Sequence, residues 1–87
     1  MIHAPVRFSI VAALARVDQA DFAAVRDAVQ VSDSVLSKQV TLLEKAGYVE
    51  VKKGYVGKRP RTWLQLTPTG ESAFNEHLLA LRAIAGQ

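Results

Sequence analysis

At Gly47 the hydrophobic period of this chain changes from 3.6 to 2, and that change does most to limit the folds open to it. Before Gly47 apolar residues recur at helical spacing. After it, Tyr48, Val49, Glu50, Val51, Lys52 and Lys53 give a strand signal with one apolar and one charged face. Gly54-Tyr55-Val56-Gly57-Lys58-Arg59-Pro60-Arg61 supplies two turn glycines and a proline, and Thr62-Trp63-Leu64-Gln65-Leu66 reads as the return strand of a hairpin. At 87 residues there is room for one modest core, so a single domain over 1–87 is expected.

Local chemistry sets the helices. Pro5 suits a first turn, and Val6, Phe8, Ile10, Val11, Ala13 and Leu14 predict a helix over 5–16. Val17-Asp18-Gln19-Ala20 breaks it. Asp21 is a good N-cap for a short second helix through Phe22, Val25, Ala28 and Val29 that ends near Gln30. Ser32 caps a third, with Asp33 in the first turn where the helix dipole favours a carboxylate, and Gly47 stands at its C′ position. Thr67-Pro68 is an N-cap followed by an N1 proline, opening a last helix with Phe74, Leu78, Leu81 and Ala85 on one stripe. The expected order is α-α-α-β-β-α. This is an α+β fold, mainly α: a winged helix-turn-helix with a basic β-hairpin wing and a C-terminal helix.

The net charge of +3 is too mild to decide anything, but its placement is informative. Residues 34–62 hold Lys38, Lys45, Lys52, Lys53, Lys58, Arg59 and Arg61 against only Glu44 and Glu50, while both flanking segments carry more acid than base. No acidic residue stands between Val51 and Leu66. A hairpin with five cations and no counter-charge repels itself unless a polyanion relieves it. Lys52, Lys53, Lys58, Arg59 and Arg61 are therefore expected to hold DNA phosphate or enter a minor groove, with the Thr62 hydroxyl adding a phosphate contact.

On the third helix Leu36, Val40 and Leu43 form the apolar stripe, leaving Ser34, Val35, Ser37, Lys38, Gln39 and Thr41 outward. That face carries no acid between Ser34 and Leu43, which is unusual for a merely solvated helix. Hydroxyls, an amide and a lysine suit base edges: Gln pairs bidentately with adenine, Lys reaches guanine, Ser and Thr accept or donate, and Val35 contacts a thymine methyl. These six are the expected base-reading residues in a major groove of double-stranded DNA.

Ser32-Asp33-Ser34-Val35-Leu36-Ser37-Lys38-Gln39-Val40 and Leu43-Glu44-Lys45-Ala46-Gly47-Tyr48-Val49 resemble the recognition helix and following strand of the MarR and ArsR winged-helix regulators. Lys58-Arg59-Pro60-Arg61-Thr62, Leu66-Thr67-Pro68-Thr69-Gly70 and the opening His3-Ala4-Pro5-Val6-Arg7 resemble the wing, last-helix entry and start of their compact single-domain relatives. The resemblance implies a homodimeric DNA-binding transcriptional regulator, commonly a repressor, with the third helix in the major groove and the wing beside it.

Other classes find little support. There is no cysteine, and His3 and His77 are the only histidines, so neither the thiolate sites of the ArsR branch nor any other metal site is expected, and no cofactor is expected either. No phosphate-cradling glycine loop, nucleophile elbow or telling carboxylate pair is present, so the chain is not expected to be an enzyme. The N-terminal apolar run is interrupted by Arg7 and too short to span a bilayer, so the expectation is no membrane partner and a cytoplasmic location. The first and last helices are apolar over more of their circumference than one core needs, which predicts a homodimer through Phe8, Val11, Leu78, Leu81 and Ile84. Trp63, flanked by apolar residues, is expected in the core. The rival readings are a winged-helix adaptor that docks on an acidic protein, and a nonspecific nucleoid-type DNA binder.

Overall fold

The computed structural model describes residues 5–85. His3 and Ala4, part of the N-terminal resemblance, lie outside the described residues. Four helices and three strands follow in the order α1 (Pro5–Leu14), β1 (Ala20–Asp21), α2 (Phe22–Val29), α3 (Asp33–Lys45), β2 (Val49–Val56), β3 (Arg59–Leu66) and α4 (Pro68–Ala85). The architecture is the expected α+β winged helix, with two main departures in its sheet from what the sequence predicts.

One is the short strand β1, which pairs antiparallel with β3 through Ala20↔Leu64 and Asp21↔Trp63, giving a sheet of order β1-β3-β2. Two residues are too few for period-2 alternation to register, so the sequence shows only a helix break followed by a cap. The other is the length of the hairpin. Its strands run to Val56 and restart at Arg59, leaving only Gly57 and Lys58 as the turn. Gly57 has φ +62 at the first central position and Lys58 does not share it, the pattern of a type II′ hairpin turn. In such a hairpin the flanking pair Val56↔Arg59 exchanges the backbone hydrogen bonds. The next pair, Tyr55↔Pro60, is then a non-hydrogen-bonded one, so the proline's missing N–H costs the ladder nothing.

The helix ends follow their caps. Asp21 Oδ1 accepts from the Ala24 N–H at 2.7 Å, and Ser32 Oγ accepts from the Val35 N–H at 3.2 Å. Gly47, at φ +83, closes α3 with a Schellman pattern: the Tyr48 N–H donates to the Leu43 carbonyl and the Gly47 N–H to the Glu44 carbonyl, both at 3.0 Å. The turn from α2 to α3 needs a left-handed residue and takes it from Gln30, at φ 62. Arg26 of α2 locks that turn by donating to Asp33 of α3 at 2.8 Å and to Asp27 at 3.2 Å. Hydrogen bonds to Asp33 and then Asp27 hold its guanidinium pKa above the ordinary arginine value. The first helix stops at Leu14, two residues short of the expected end, as the chain turns toward β1.

Ile10, Val11 and Leu14 of α1, Val25 of α2, Leu36, Val40 and Leu43 of α3, Val49 of β2 and Leu64 of β3 make the core. Val11 is fully buried there and offers nothing to a partner subunit, which corrects its assignment to a dimer face. Its position i+1 from Ile10 looked like a second apolar face, but α1 is covered over a wider arc than a lone helix would be. Trp63 is also displaced from its expected place. Its neighbour Leu64 is fully buried, so Trp63 points to the opposite face of β3, where its ring covers Gly54 of β2.

Candidate nucleic-acid interface

The outward side of α3 is built by the burial of the other side. Leu36, Val40 and Leu43 occupy one stripe, and helical geometry then turns Ser34, Ser37, Lys38 and Thr41 away from the core, all four exposed. Val35 is exposed as well, on the flank of that face. Thr41 Oγ1 donates back to the Ser37 carbonyl at 2.9 Å, which leaves its lone pairs free to accept. Ser34 Oγ lies 3.3 Å from the capping hydroxyl of Ser32.

Gln39 does not join this face. It follows Leu36 by three residues and precedes Leu43 by four, so it is half-buried at the edge of the core stripe, and its Oε1 is buried without a hydrogen-bond partner. Its expected role as an adenine reader is corrected accordingly. Gln39→Leu should then leave the preferred DNA sequence unchanged and raise stability by up to about 1 kcal/mol, because it removes a carbonyl oxygen that has lost its water. Urea denaturation checks this, and a loss of more than about 1 kcal/mol would mean that the amide makes polar contacts in solution.

The hairpin brings its cations beside that helix. Pairing sets Val49, Val51, Lys53 and Tyr55 on one face of β2 opposite Leu66, Leu64, Thr62 and Pro60, and Glu50, Lys52, Gly54 and Val56 on the other opposite Gln65, Trp63, Arg61 and Arg59. Lys53 and Thr62 therefore share the α3 side of the sheet. With Ser37, Thr41 and Glu44 of α3 they line a concavity of about 600 Å³ whose floor includes Val40 and Leu64. Two expected base readers and two expected wing residues are thus brought to one place. Glu44, one residue past the acid-free stretch, stands at its edge and limits how far an anion can advance there.

Lys58 and Arg59 are exposed at the hairpin tip beside Val56 and the largely exposed Tyr55. Lys52 lies 3.9 Å from Glu50, a long and exposed contact of little energetic weight. Arg61 has a firmer partner: its Nη1 donates to Asp21 Oδ2 at 3.1 Å. In the sequence Asp21 signals a cap alone, and no local pattern announces a contact across 40 residues. A second, smaller concavity of about 280 Å³ forms at this junction between the start of α2 and the wing, lined by Asp21, Phe22, Pro60, Arg61 and Thr62.

A family model described as a winged helix DNA-binding domain matches residues 6–85. The chain belongs to that family. Among solved structures, this winged-helix domain is similar to the transcriptional regulator homologue protein of Pyrococcus horikoshii OT3, with a TM-score of 0.88 at 26% identity over 95% of this chain and 82% of that one. It is also similar to NadR, solved in complex with 4-hydroxyphenylacetate, with a TM-score of 0.68 at 27% identity over 91% of this chain and 60% of that one. A relative in Methanocaldococcus jannaschii, an uncharacterised protein, is 27% identical over 78 residues, 90% of this chain and 85% of its own. A winged-helix DNA-binding domain of the kind found in transcriptional regulators is what the sequence, the fold and these likenesses share. Among the described residues no group of His, Asp or Glu is placed to hold a metal ion, and no helix is long and apolar enough to cross a membrane.

On the last helix, Leu81 and Ile84 are exposed together with Leu79, while Leu78 is half-buried. Phe8 is largely spent within the subunit: its ring centroid lies 5.6 Å from that of Phe74 and 5.0 Å from that of His77.

Proposed function

We propose that the chain acts in the cytoplasm as a homodimeric repressor that binds duplex DNA in a sequence-specific way. The observation that carries this reading is the convergence of Ser37 and Thr41 of α3 with Lys53 and Thr62 of the hairpin on one concavity, next to the exposed Ser34 and Lys38. A helix that presents small polar groups without acids, flanked by a cationic hairpin, can lie in a major groove with its phosphates alongside. In this reading Ser34, Ser37, Lys38 and Thr41 read bases, with Val35 against a thymine methyl. Lys53, Lys58, Arg59 and Thr62 hold the backbone, and Lys52 lends its charge from the far face of the hairpin.

Support for the dimer comes from the exposed Leu81 and Ile84, three residues apart on one face near the end of α4, an apolar stripe that a second copy can cover. Two-fold symmetry sets paired recognition helices about 34 Å apart, one turn of DNA, and makes the operator palindromic. Repression follows from occupancy of such a site, and the resemblance to MarR and ArsR regulators favours it.

Selection from a random duplex library tests the reading. An enriched palindrome is the expected result. Duplex affinity without enrichment would replace it with a nonspecific nucleoid-type binder, and no duplex affinity at all would replace it with a protein-docking adaptor. Sedimentation at micromolar concentration should show a dimer, and monomer alone would sink that part of the reading.

A further inference from the structure

Arg61 differs from its neighbours on the wing because a carboxylate already holds it. Among the described residues no carboxylate pairs with Lys53, Lys58 or Arg59. Asp21 divides its two oxygens between jobs: Oδ1 takes the Ala24 N–H at 2.7 Å and caps α2, and Oδ2 takes Arg61 Nη1 at 3.1 Å. The backbone enforces this meeting. Asp21 pairs with Trp63 in the β1–β3 ladder, and Arg61, two residues before Trp63, lies on the same face of β3 and diagonal to Asp21. Opposite Arg61 on β2 stands Gly54, which offers no side chain to compete for the guanidinium. The pair is not sealed from solvent either, with the Arg61 side chain 42% and the Asp21 side chain 26% exposed.

A half-exposed guanidinium can exchange one oxyanion for another without disturbing the fold. We propose that Asp21 is a specificity-determining residue, which competes with DNA phosphate for the Arg61 guanidinium and so withholds that cation from non-operator duplex. The inference rests on the DNA-binding reading above. Nonspecific binding draws on phosphate neutralisation alone, and swapping the Asp21 carboxylate for a phosphate adds little to it. On the operator, base contacts by α3 fix the wing against the backbone, and the phosphate is presented to Arg61 at close range. Lys58 and Arg59 serve both complexes; Arg61 serves mainly the specific one.

Asp21→Asn separates the two roles, because Asn caps a helix as well as Asp but carries no charge to hold the arginine. The salt dependence of binding to a mixed-sequence duplex is to be measured for the wild type, D21N, R61A and the double variant. D21N should steepen the log–log slope by about 0.9 per subunit, the share of one phosphate. R61A alone should leave the slope near that of the wild type, and the double variant should return to it. Steepening that persists in the double variant overturns the proposal, since Asp21 would then act only as a repelling charge. An unchanged slope in D21N, with normal wild-type binding, overturns it while leaving the DNA-binding reading intact. A wild type that binds no duplex removes both. Should D21N fail to show a cooperative melt, Asp21→Ser, which also caps, takes its place with the same expected slopes.

Discussion

Gly70→Ala is expected to destabilise the domain by at least about 3 kcal/mol, beyond the usual range for one added methyl group. Gly70 is buried in the first turn of α4, and a Cβ there overlaps the Tyr48 carbonyl oxygen and sits 2.8 Å from Leu66 Cδ1. The leucine can rotate away, but the carbonyl cannot. It accepts the Thr67 N–H at 3.0 Å, while Thr67 Oγ1 donates to the Gly47 carbonyl at 2.6 Å and accepts the Gly70 N–H at 2.9 Å. This clip joins the end of α3 to the start of α4, so relief of the clash must break it. The gain in helix propensity from Gly to Ala, at most about 1 kcal/mol, is too small to compensate. A small domain has roughly 0.05–0.15 kcal/mol of stability per residue, so the loss is a large share of the whole. The melting temperature should fall by roughly 12 °C or more. A fall of less than about 5 °C would show that α4 can shift off the β2 entry at little cost.

The largest effect on binding is expected from Lys58→Ala combined with Arg59→Ala. Both side chains are exposed at the hairpin tip, and neither has an ion pair to lose among the described residues. Lys58 sits at the second position of the turn, where its backbone does not need a positive φ and alanine fits. Folding should therefore be unaffected and the melting temperature unchanged. Removing two phosphate contacts should flatten the log–log salt dependence by about 1.8 per subunit and weaken binding roughly 10- to 100-fold per subunit near 0.1 M salt, equally on all duplexes. Fluorescence anisotropy over a salt series reads both. A loss confined to one sequence would mean that the tip reads bases in the minor groove instead of holding the backbone.

These two predictions sit at different distances from the sequence. The wing cations are visible as a run without counter-charge, and the tip needs no tertiary knowledge beyond a hairpin. Gly70 was visible only as part of a resemblance, because its necessity comes from Tyr48, which reaches it through the fold. The same contrast runs through the site. Ser34, Ser37, Lys38 and Thr41 were legible as an outward face once Leu36, Val40 and Leu43 fixed the inward one. Gln39, at the border of the two, was not, since a wheel cannot say how wide an arc the neighbouring helices cover. Trp63 does not follow its apolar neighbour Leu64 into the core for a related reason: in a strand adjacent residues face opposite ways.

What the sequence determined by itself was the local chemistry: Asp21, Ser32 and Thr67 as caps, Gly47 as a helix stop, and a change of period that turns helices into a hairpin. Each of these acts through bonds that span only a few residues, so each is written where it acts. Burial over a wide arc of α1, the two-residue strand β1, and the hold of Asp21 on Arg61 were decided by tertiary structure alone. They depend on segments that meet only when the sheet closes, and no pattern within either segment encodes the other. The recognition face is thus a property of one helix, but the number of cations that the wing can offer to DNA depends on the way three distant segments are packed.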